Sequence, residues 1–162
     1  MKARMLPLAV AVVALACAVW FAVAAGSLRP GDDEALVEQS ATAEVTDQVG
    51  TAVKALFSYD YADLDRTTRA AADVLSGAAV SQYRTQFAAA RKRADEQKLI
   101  RTTTVRAIGV RTLHGDDASL LLFLDQQTIL PSGGAPKSSV AQLSVTAHRS
   151  DGRWKITAMD PL

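Results

Sequence analysis

Few residues in this chain are of a type and spacing that could carry acid–base or metal chemistry. His114 lies in a predicted turn, and His148 lies on the polar side of a predicted strand. Their separation matches no zinc-binding motif, and the sequence contains no calcium-binding motif. Since both positions favour solvated side chains, we expect neither histidine to be catalytic, and we expect no metal or cofactor site.

Three closely spaced aspartates, Asp60, Asp63 and Asp65, form a second candidate group, because paired carboxyl groups can act as an acid and a base. They alternate with Tyr59 and Tyr61, just before a helical pattern. Carboxylates at such positions commonly accept hydrogen bonds from the first N–H groups of a helix. We therefore expect the aspartates to cap and start that helix, with the tyrosines packing or hydrogen-bonding nearby.

Asp125 is the one acid that we single out as a candidate catalytic residue. It follows an apolar run, which places it at a sheet edge or on the concave face of a sheet. Together with Tyr59 or Tyr83 as hydrogen-bond donors, it could serve an isomerase- or dehydratase-type pocket. An outward-pointing Asp125 or a filled interior would exclude this catalysis, whereas an apolar cavity without acids would favour lipid binding.

The charge balance excludes a strongly basic nucleic-acid-binding protein. The chain has 18 basic and 17 acidic residues, and residues 1–25 hold two of the bases and no acid. The remainder therefore has no surplus of bases with which to neutralise phosphates. The one basic cluster, Arg91-Lys92-Arg93, has no accompanying aromatic residues, so we expect it to be solvated and to complement the dipole of its helix.

The N-terminal segment predicts the location of the protein. Residues 5–25 carry no charged side chain, and a helix of that length spans about 31 Å, which matches a bilayer core. Bases precede this run and acids follow it, so residues 1–4 are predicted to be cytoplasmic, residues 5–25 to cross the plasma membrane once, and the remainder to be extracytoplasmic. Cleavage of a signal peptide behind Ala22-Val23-Ala24 and lipidation of Cys17, the only cysteine, are the alternatives.

Helical patterns follow the apolar run. A polar stretch predicts a juxtamembrane stalk over residues 26–44, and residues 45–162 are predicted to form one extracytoplasmic domain. Apolar residues at helical spacing between Val45 and Phe57 predict a core face. Two further helices are predicted, from Asp63 or Asp65 to about Leu75, where Gly77 ends the helix, and from about Ala79 to Gln97.

The C-terminal half predicts strands, because it is rich in Thr, Val and Ile and alternates apolar with polar residues. The continuous run Leu120–Leu124 predicts a strand that is buried on both faces. Helices followed by an antiparallel meander indicate an α+β domain, in which the helices pack on a curved four-stranded sheet as in the nuclear transport factor 2-like or cystatin-like fold. The predicted strands are Ile100 to Leu113, Ser119 to Leu130, Val140 to Arg149 and Trp154 to the end.

A series of short segments resembles the Mce-associated membrane proteins of mycobacteria and related actinobacteria, and the resemblance covers most of residues 5–162. Its most specific part is the stretch Ser58–Asp65 followed by Leu75-Ser76-Gly77. The segments that carry it are Leu56–Asp65, Leu75-Ser76-Gly77, Tyr83, Ala107–Val110, Leu122–Gln126, Asp151–Ile156 and Met159–Leu162.

The resemblance implies a non-enzymatic accessory subunit of an Mce system, which imports lipids such as sterols or fatty acids. Its partners would be Mce transporter subunits, with a lipid as a further candidate, and the family has no catalytic residues to transfer. The domain is also similar to the periplasmic assembly protein of type IV secretion systems, so a scaffold of another envelope complex is the alternative. We expect the contact surfaces to be the helical stripe at Val45–Phe57 and the open face of the sheet.

Overall fold

The computed structural model describes residues 39–162, in which helices precede a long antiparallel meander. This order confirms the predicted α+β class, with helices packed on a curled antiparallel sheet. The elements are α1 (Gln39–Phe57), β1 (Tyr59–Asp60), a 3₁₀ turn (Tyr61–Asp63), α2 (Leu64–Val74), α3 (Ala78–Gln97), β2 (Ile100–His114), β3 (Asp117–Ile129), β4 (Lys137–Ser150) and β5 (Arg153–Pro161).

The predicted N-terminal features fall largely outside this part of the chain. The cytoplasmic residues 1–4, the transmembrane helix 5–25 and residues 26–38 of the stalk are not among the described residues. Residues 39–44, the end of the predicted stalk, form the first turns of α1. Between residues 39 and 162, no helix combines the length and the apolar character needed to cross a bilayer.

Helix α1 covers the concave face of the sheet with one apolar stripe. Val45, Val49 and Val53 are completely buried, and Leu56 is almost so. The prediction that this stripe contacts a partner is therefore wrong, because the stripe is already buried against the sheet of the same chain. Burial of such side chains contributes about 1.5–3 kcal/mol each, so the stripe stabilises the domain itself.

The junction between α2 and α3 differs from the prediction. Gly77 does not end α2, which stops at Val74, but precedes α3 as its N-cap with a φ of +56°. Leu75 instead adopts an extended conformation and forms a parallel bridge with Ile156, and the Ser76 N–H donates to the Ile156 carbonyl at 2.9 Å. The chain then has to reverse direction sharply, and glycine tolerates the positive φ that this requires.

The sheet has five strands in the order β1-β2-β3-β4-β5, with all neighbours antiparallel, and not the predicted four. The additional strand β1 pairs only Tyr59 with Arg101 and Asp60 with Ile100. Two residues are too short to show an alternating pattern, which is why the sequence gives no sign of this strand. Strand β2 also contains two register shifts relative to β3, at which Arg106 and Arg111 are the extra residues.

The core lies between the helices and one face of the sheet. Leu120, Leu122 and Leu124 point into it, whereas Leu121 is half-buried and Phe123 is 38% exposed on the opposite face. The prediction that this run is buried on both faces is therefore wrong. The described helices cover only the concave face, so the period-two alternation of the strand carries every second side chain to the outer face.

Candidate interaction surface on the outer face of the sheet

The interior between helices and sheet is filled by hydrocarbon. Its buried hydroxyl groups are paired, whereas the buried indole N–H of Trp154 has no hydrogen-bond partner within residues 39–162. Leu113 and Ile156 are completely buried there, together with the leucines of β3. The buried Thr103 hydroxyl donates to the Phe57 carbonyl at 2.7 Å. Tyr83 donates its hydroxyl to the Leu56 carbonyl at 2.9 Å, and burial raises the pKa of this tyrosine well above its usual value of 10. Tyr83 is thus a structural donor and not one that awaits a substrate.

Asp125 lies on the outer face of β3, next to the inward-pointing Leu124. Its carboxylate is 42% exposed and accepts a hydrogen bond from Arg106 Nε at 2.9 Å. The hypothesis that Asp125 is an acid or base inside a pocket is therefore wrong. The alternation of β3 places it outside because the leucines on either side of Phe123 occupy the inner positions.

The aspartates before α2 are structural groups, as predicted. Asp60 accepts from the Ala62 N–H at 2.9 Å and caps the 3₁₀ turn, and Asp63 accepts from the Arg66 N–H at 3.1 Å as the N-cap of α2. Asp65 lies in the first turn of α2 and forms an ion pair instead. Tyr59 packs against aromatic and cationic groups and contributes no acid–base pair with these carboxylates.

The remaining candidates lie at exposed positions. His148 Nδ1 lies 2.8 Å from Asp117 Oδ1, so it is the exposed cross-strand neighbour that its pattern predicts. His114 is exposed at the end of β2. In the basic cluster, Arg91 pairs with Asp65 at 2.9 Å and Lys92 lies 3.9 Å from Glu96. Within residues 39–162, no group of three or more His, Cys, Asp or Glu side chains is placed to hold a metal ion.

The outer face of β3 and β4 carries a cluster of exposed apolar and paired charged side chains. Phe123 is 38% and Val140 76% exposed, and Val140 lies directly opposite Asp125 in the register. These residues flank a hollow of about 320 Å³. We call this surface the outer patch, and it comprises Arg106, Phe123, Asp125, Val140, Gln142 and Leu162.

A second, polar hollow of about 580 Å³ adjoins the outer patch and shares Arg106, Asp125 and Val140 with it. Its other residues carry hydroxyl or amide groups and are Thr102, Thr104, Gln126, Gln127, Ser138 and Ser139. An apolar centre beside a charged pair and a polar margin has the anatomy of a protein–protein interface. The arrangement can bind a partner's side chains, but its one carboxylate is already paired with a guanidinium.

The outer patch was only partly foreseeable. The sequence predicts that the sheet has an open face, and the structure confirms it. The participation of Phe123 was missed because it lies inside the leucine run. The signal that could have found it is the register, since Leu122 and Leu143 face each other across the two strands and leave Phe123 opposite the polar Gln142.

Comparison with known proteins finds solved structures that support the fold and two relatives in the genus Mycobacterium. No protein-family profile matches the chain. Two uncharacterized proteins of Mycobacterium tuberculosis, MT1407 of strain CDC 1551 and Rv1362c of strain H37Rv, are each 34% identical to it over 110 residues, or 67% of this chain. The match covers 50% of each relative, so the chain spans about half the length of the curated relatives it matches.

Solved structures with a similar fold include a type IV secretion system protein and two periplasmic domains. An IcmL-like type IV secretion system protein of Legionella pneumophila superposes with a TM-score of 0.65 at 11% identity, over 74% of this chain and 91% of that one. A periplasmic fragment of TraM gives 0.64 at 12% identity (74% and 96% covered), and the periplasmic domain of DotI gives 0.63 at 12% identity (73% and 92%). At these identities the matches establish a shared fold.

Proposed function

We propose that this protein is a non-enzymatic subunit that assembles or stabilises a cell-envelope complex through protein–protein contacts. The observation that carries the proposal is the outer patch, which presents Phe123 and Val140 beside a paired arginine and aspartate. Contiguous exposed apolar groups with a polar margin are typical of binding surfaces. The filled interior and the outward position of Asp125 support a non-enzymatic role.

In this proposal the complex is an Mce-type lipid importer, and the chain is anchored in the plasma membrane by residues 5–25. Residues 1–4 lie in the cytoplasm, residues 26–44 form the stalk and residues 45–162 form the extracytoplasmic domain. The sequence segments that resemble Mce-associated proteins of mycobacteria support this choice, and the two relatives that the chain matches are mycobacterial. The likeness in fold to an IcmL-like type IV secretion system protein and to periplasmic domains of TraM and DotI supports an extracytoplasmic assembly role, and it makes a scaffold of another envelope complex the second candidate.

The proposal assigns separate roles to the two kinds of group in the outer patch. Phe123 and Val140 would supply the apolar contact area, since aromatic side chains at the centre of an interface carry much of the binding free energy. The Arg106–Asp125 pair would orient the partner, because charged groups at the margin of an interface contribute more to specificity than to affinity.

Affinity purification of the full-length chain from native actinobacterial membranes tests the proposal. We expect the tagged wild-type chain to retain Mce transporter subunits and Phe123→Glu to lose most of them. The matched control is Ile129→Glu, because Ile129 is 37% exposed on the same strand but lies about 20 Å further along it. Recovery of other envelope proteins without Mce subunits would favour the second candidate, and equal recovery by both variants would refute the role of the patch.

A further inference from the structure

A groove between α2 and α3 is separate from the outer patch and has an apolar lining. Its volume is about 490 Å³. Each helix contributes one face, with the spacing i, i+3, i+4 on α2 and i, i+3, i+4, i+7 on α3. The residues of this helix groove are Thr68, Ala71 and Ala72 from α2, Leu75 just behind it, and Val80, Tyr83, Arg84, Phe87, Ala88 and Arg91 from α3.

The side-chain sizes explain why the helix groove stays open. The wall from α2 carries two alanines and a threonine, whose short side chains fill little of the space between the helices. On the α3 side, the Tyr83 and Phe87 rings are stacked with centroids 5.1 Å apart and form an apolar floor. Val80 consequently remains 37% exposed. The apolar stripe of α3 therefore faces the helix groove over part of its length.

The charges along the helix groove are of one sign. Among residues 39–162, no acidic residue lines it, whereas Arg84 and Arg91 lie seven residues apart on α3, about 10 Å along the helix axis. Arg91 is held by Asp65 Oδ1 at 2.9 Å and Thr68 Oγ1 at 3.2 Å. The exposed Arg84 forms no ion pair or side-chain hydrogen bond within residues 39–162. An apolar floor with an unpaired guanidinium at its margin fits an amphipathic anion.

The volume of the helix groove selects among ligands of this class. The groove volume of about 490 Å³ lies within the range of roughly 300–1,000 Å³ that small-molecule sites occupy. At about 30 Å³ for each group of the size of a water molecule or a methylene, the groove holds roughly sixteen such groups. That is the size of one long hydrocarbon chain, so a two-chain phospholipid would leave its second chain in water.

We propose that the helix groove binds a single-chain fatty carboxylate, with its chain over Tyr83 and Phe87 and its carboxylate at Arg84. A carboxylate can accept two parallel hydrogen bonds from a guanidinium, which would fix the head group. This ligand site does not depend on the identity of the envelope complex, and the protein need not catalyse any reaction on the ligand.

Photolabelling of the purified full-length chain in phosphatidylcholine proteoliposomes tests the site without any transporter subunit. The probe is palmitate with a diazirine in its alkyl chain, and labelled positions are mapped after trypsin digestion. We expect label in two tryptic peptides, residues 70–84 and 85–91, which contain most of the groove lining. Excess unlabelled palmitate should suppress this label. In Arg84→Gln, in which the two peptides stay joined as residues 70–91, the palmitate concentration that halves the label should rise about tenfold.

Variants that fill the helix groove provide the decisive comparison. Ala72→Trp and Ala88→Trp, one on each wall, should reduce the label in both peptides at least tenfold. Ala89→Trp is the matched control, because Ala89 is an exposed alanine of α3 outside the lining. Unchanged labelling in both filled variants would overturn the proposal, as would equal labelling by a diazirine phosphatidylglycerol. In native membranes, a protein cross-linked at these peptides in place of the probe would assign the groove to a partner instead.

Discussion

Three consecutive carbonyl groups at the end of α1 are held by hydroxyl groups from three different elements. Tyr83 of α3 donates to Leu56, Thr103 of β2 donates to Phe57, and Thr67 of α2 donates to Ser58 at 3.2 Å. The last carbonyls of a helix have no partner within the helix, so these bonds satisfy groups that would otherwise be buried without one. We predict that Thr103→Val, which keeps the side-chain shape and removes the hydroxyl, destabilises the domain.

The size of the effect follows from the burial of the donor and the acceptor. Thr103 is completely buried and its bond to the Phe57 carbonyl is 2.7 Å long, so the valine leaves that carbonyl without this partner. Such a loss costs about 1–3 kcal/mol. For a domain of this size, the midpoint of thermal unfolding should fall by roughly 4–12 °C. Circular dichroism of the full-length chain, heated in detergent micelles, measures the shift.

A matched substitution on the same strand separates the hydrogen bond from a general effect of valine. Thr112 is exposed, so Thr112→Val should change the unfolding midpoint by no more than the equivalent of about 0.5 kcal/mol. A Thr103→Val variant as stable as the wild type would refute the reasoning. It would mean that water or another donor satisfies the Phe57 carbonyl equally well.

Three further predictions concern pH, the backbone and the core. Burial raises the pKa of Tyr83, so above about pH 10 this phenol ionises in the unfolded state but not in the folded state. The free energy of unfolding, measured by urea titration, should therefore fall as the pH rises above about 10. Tyr83→Phe should remove the part of this fall that Tyr83 causes. Gly77→Ala should lower the free energy of unfolding by about 1–3 kcal/mol, because the φ of Gly77 is +56°. Gly109→Ala should be nearly neutral in the same assay, because a Cβ at Gly109 would have no atom within 4 Å. Leu122→Ala should cost about 2–5 kcal/mol and Leu121→Ala about 1 kcal/mol or less, as measured by chemical denaturation.

Features that depend on the local sequence could be predicted, whereas features that depend on how two secondary-structure elements pack together could not. The stripe of α1 and the cap at Asp63 depend on helical spacing and on one side chain, and both were found. The outward position of Asp125 depends on which face of β3 the helices cover, a property of the tertiary fold. The apolar content of Leu120–Leu124 therefore gave the wrong result on burial.

The candidate sites show the same division. The open sheet face was expected because an antiparallel sheet with helices on one side leaves the other side uncovered. The helix groove was not expected, because Val80, Tyr83 and Phe87 have the spacing of a core stripe, and only the small residues of α2 opposite them keep the space open. The sequence of either helix alone does not predict the groove, because the groove volume depends on the side-chain sizes of both facing helices.

The two register shifts of β2 bear on how copies of the protein behave when crowded together. Strand β1 pairs with only Ile100 and Arg101, so beyond these residues β2 borders no other strand of the described chain on that side. An unprotected edge of this kind can template the addition of a neighbouring molecule, and bulges and charges are the means by which natural sheets prevent it. Arg106 and Arg111 occupy the two bulges of β2 against β3, and bulges twist a strand and disturb its backbone. We therefore expect this edge of β2 to resist the addition of a second copy.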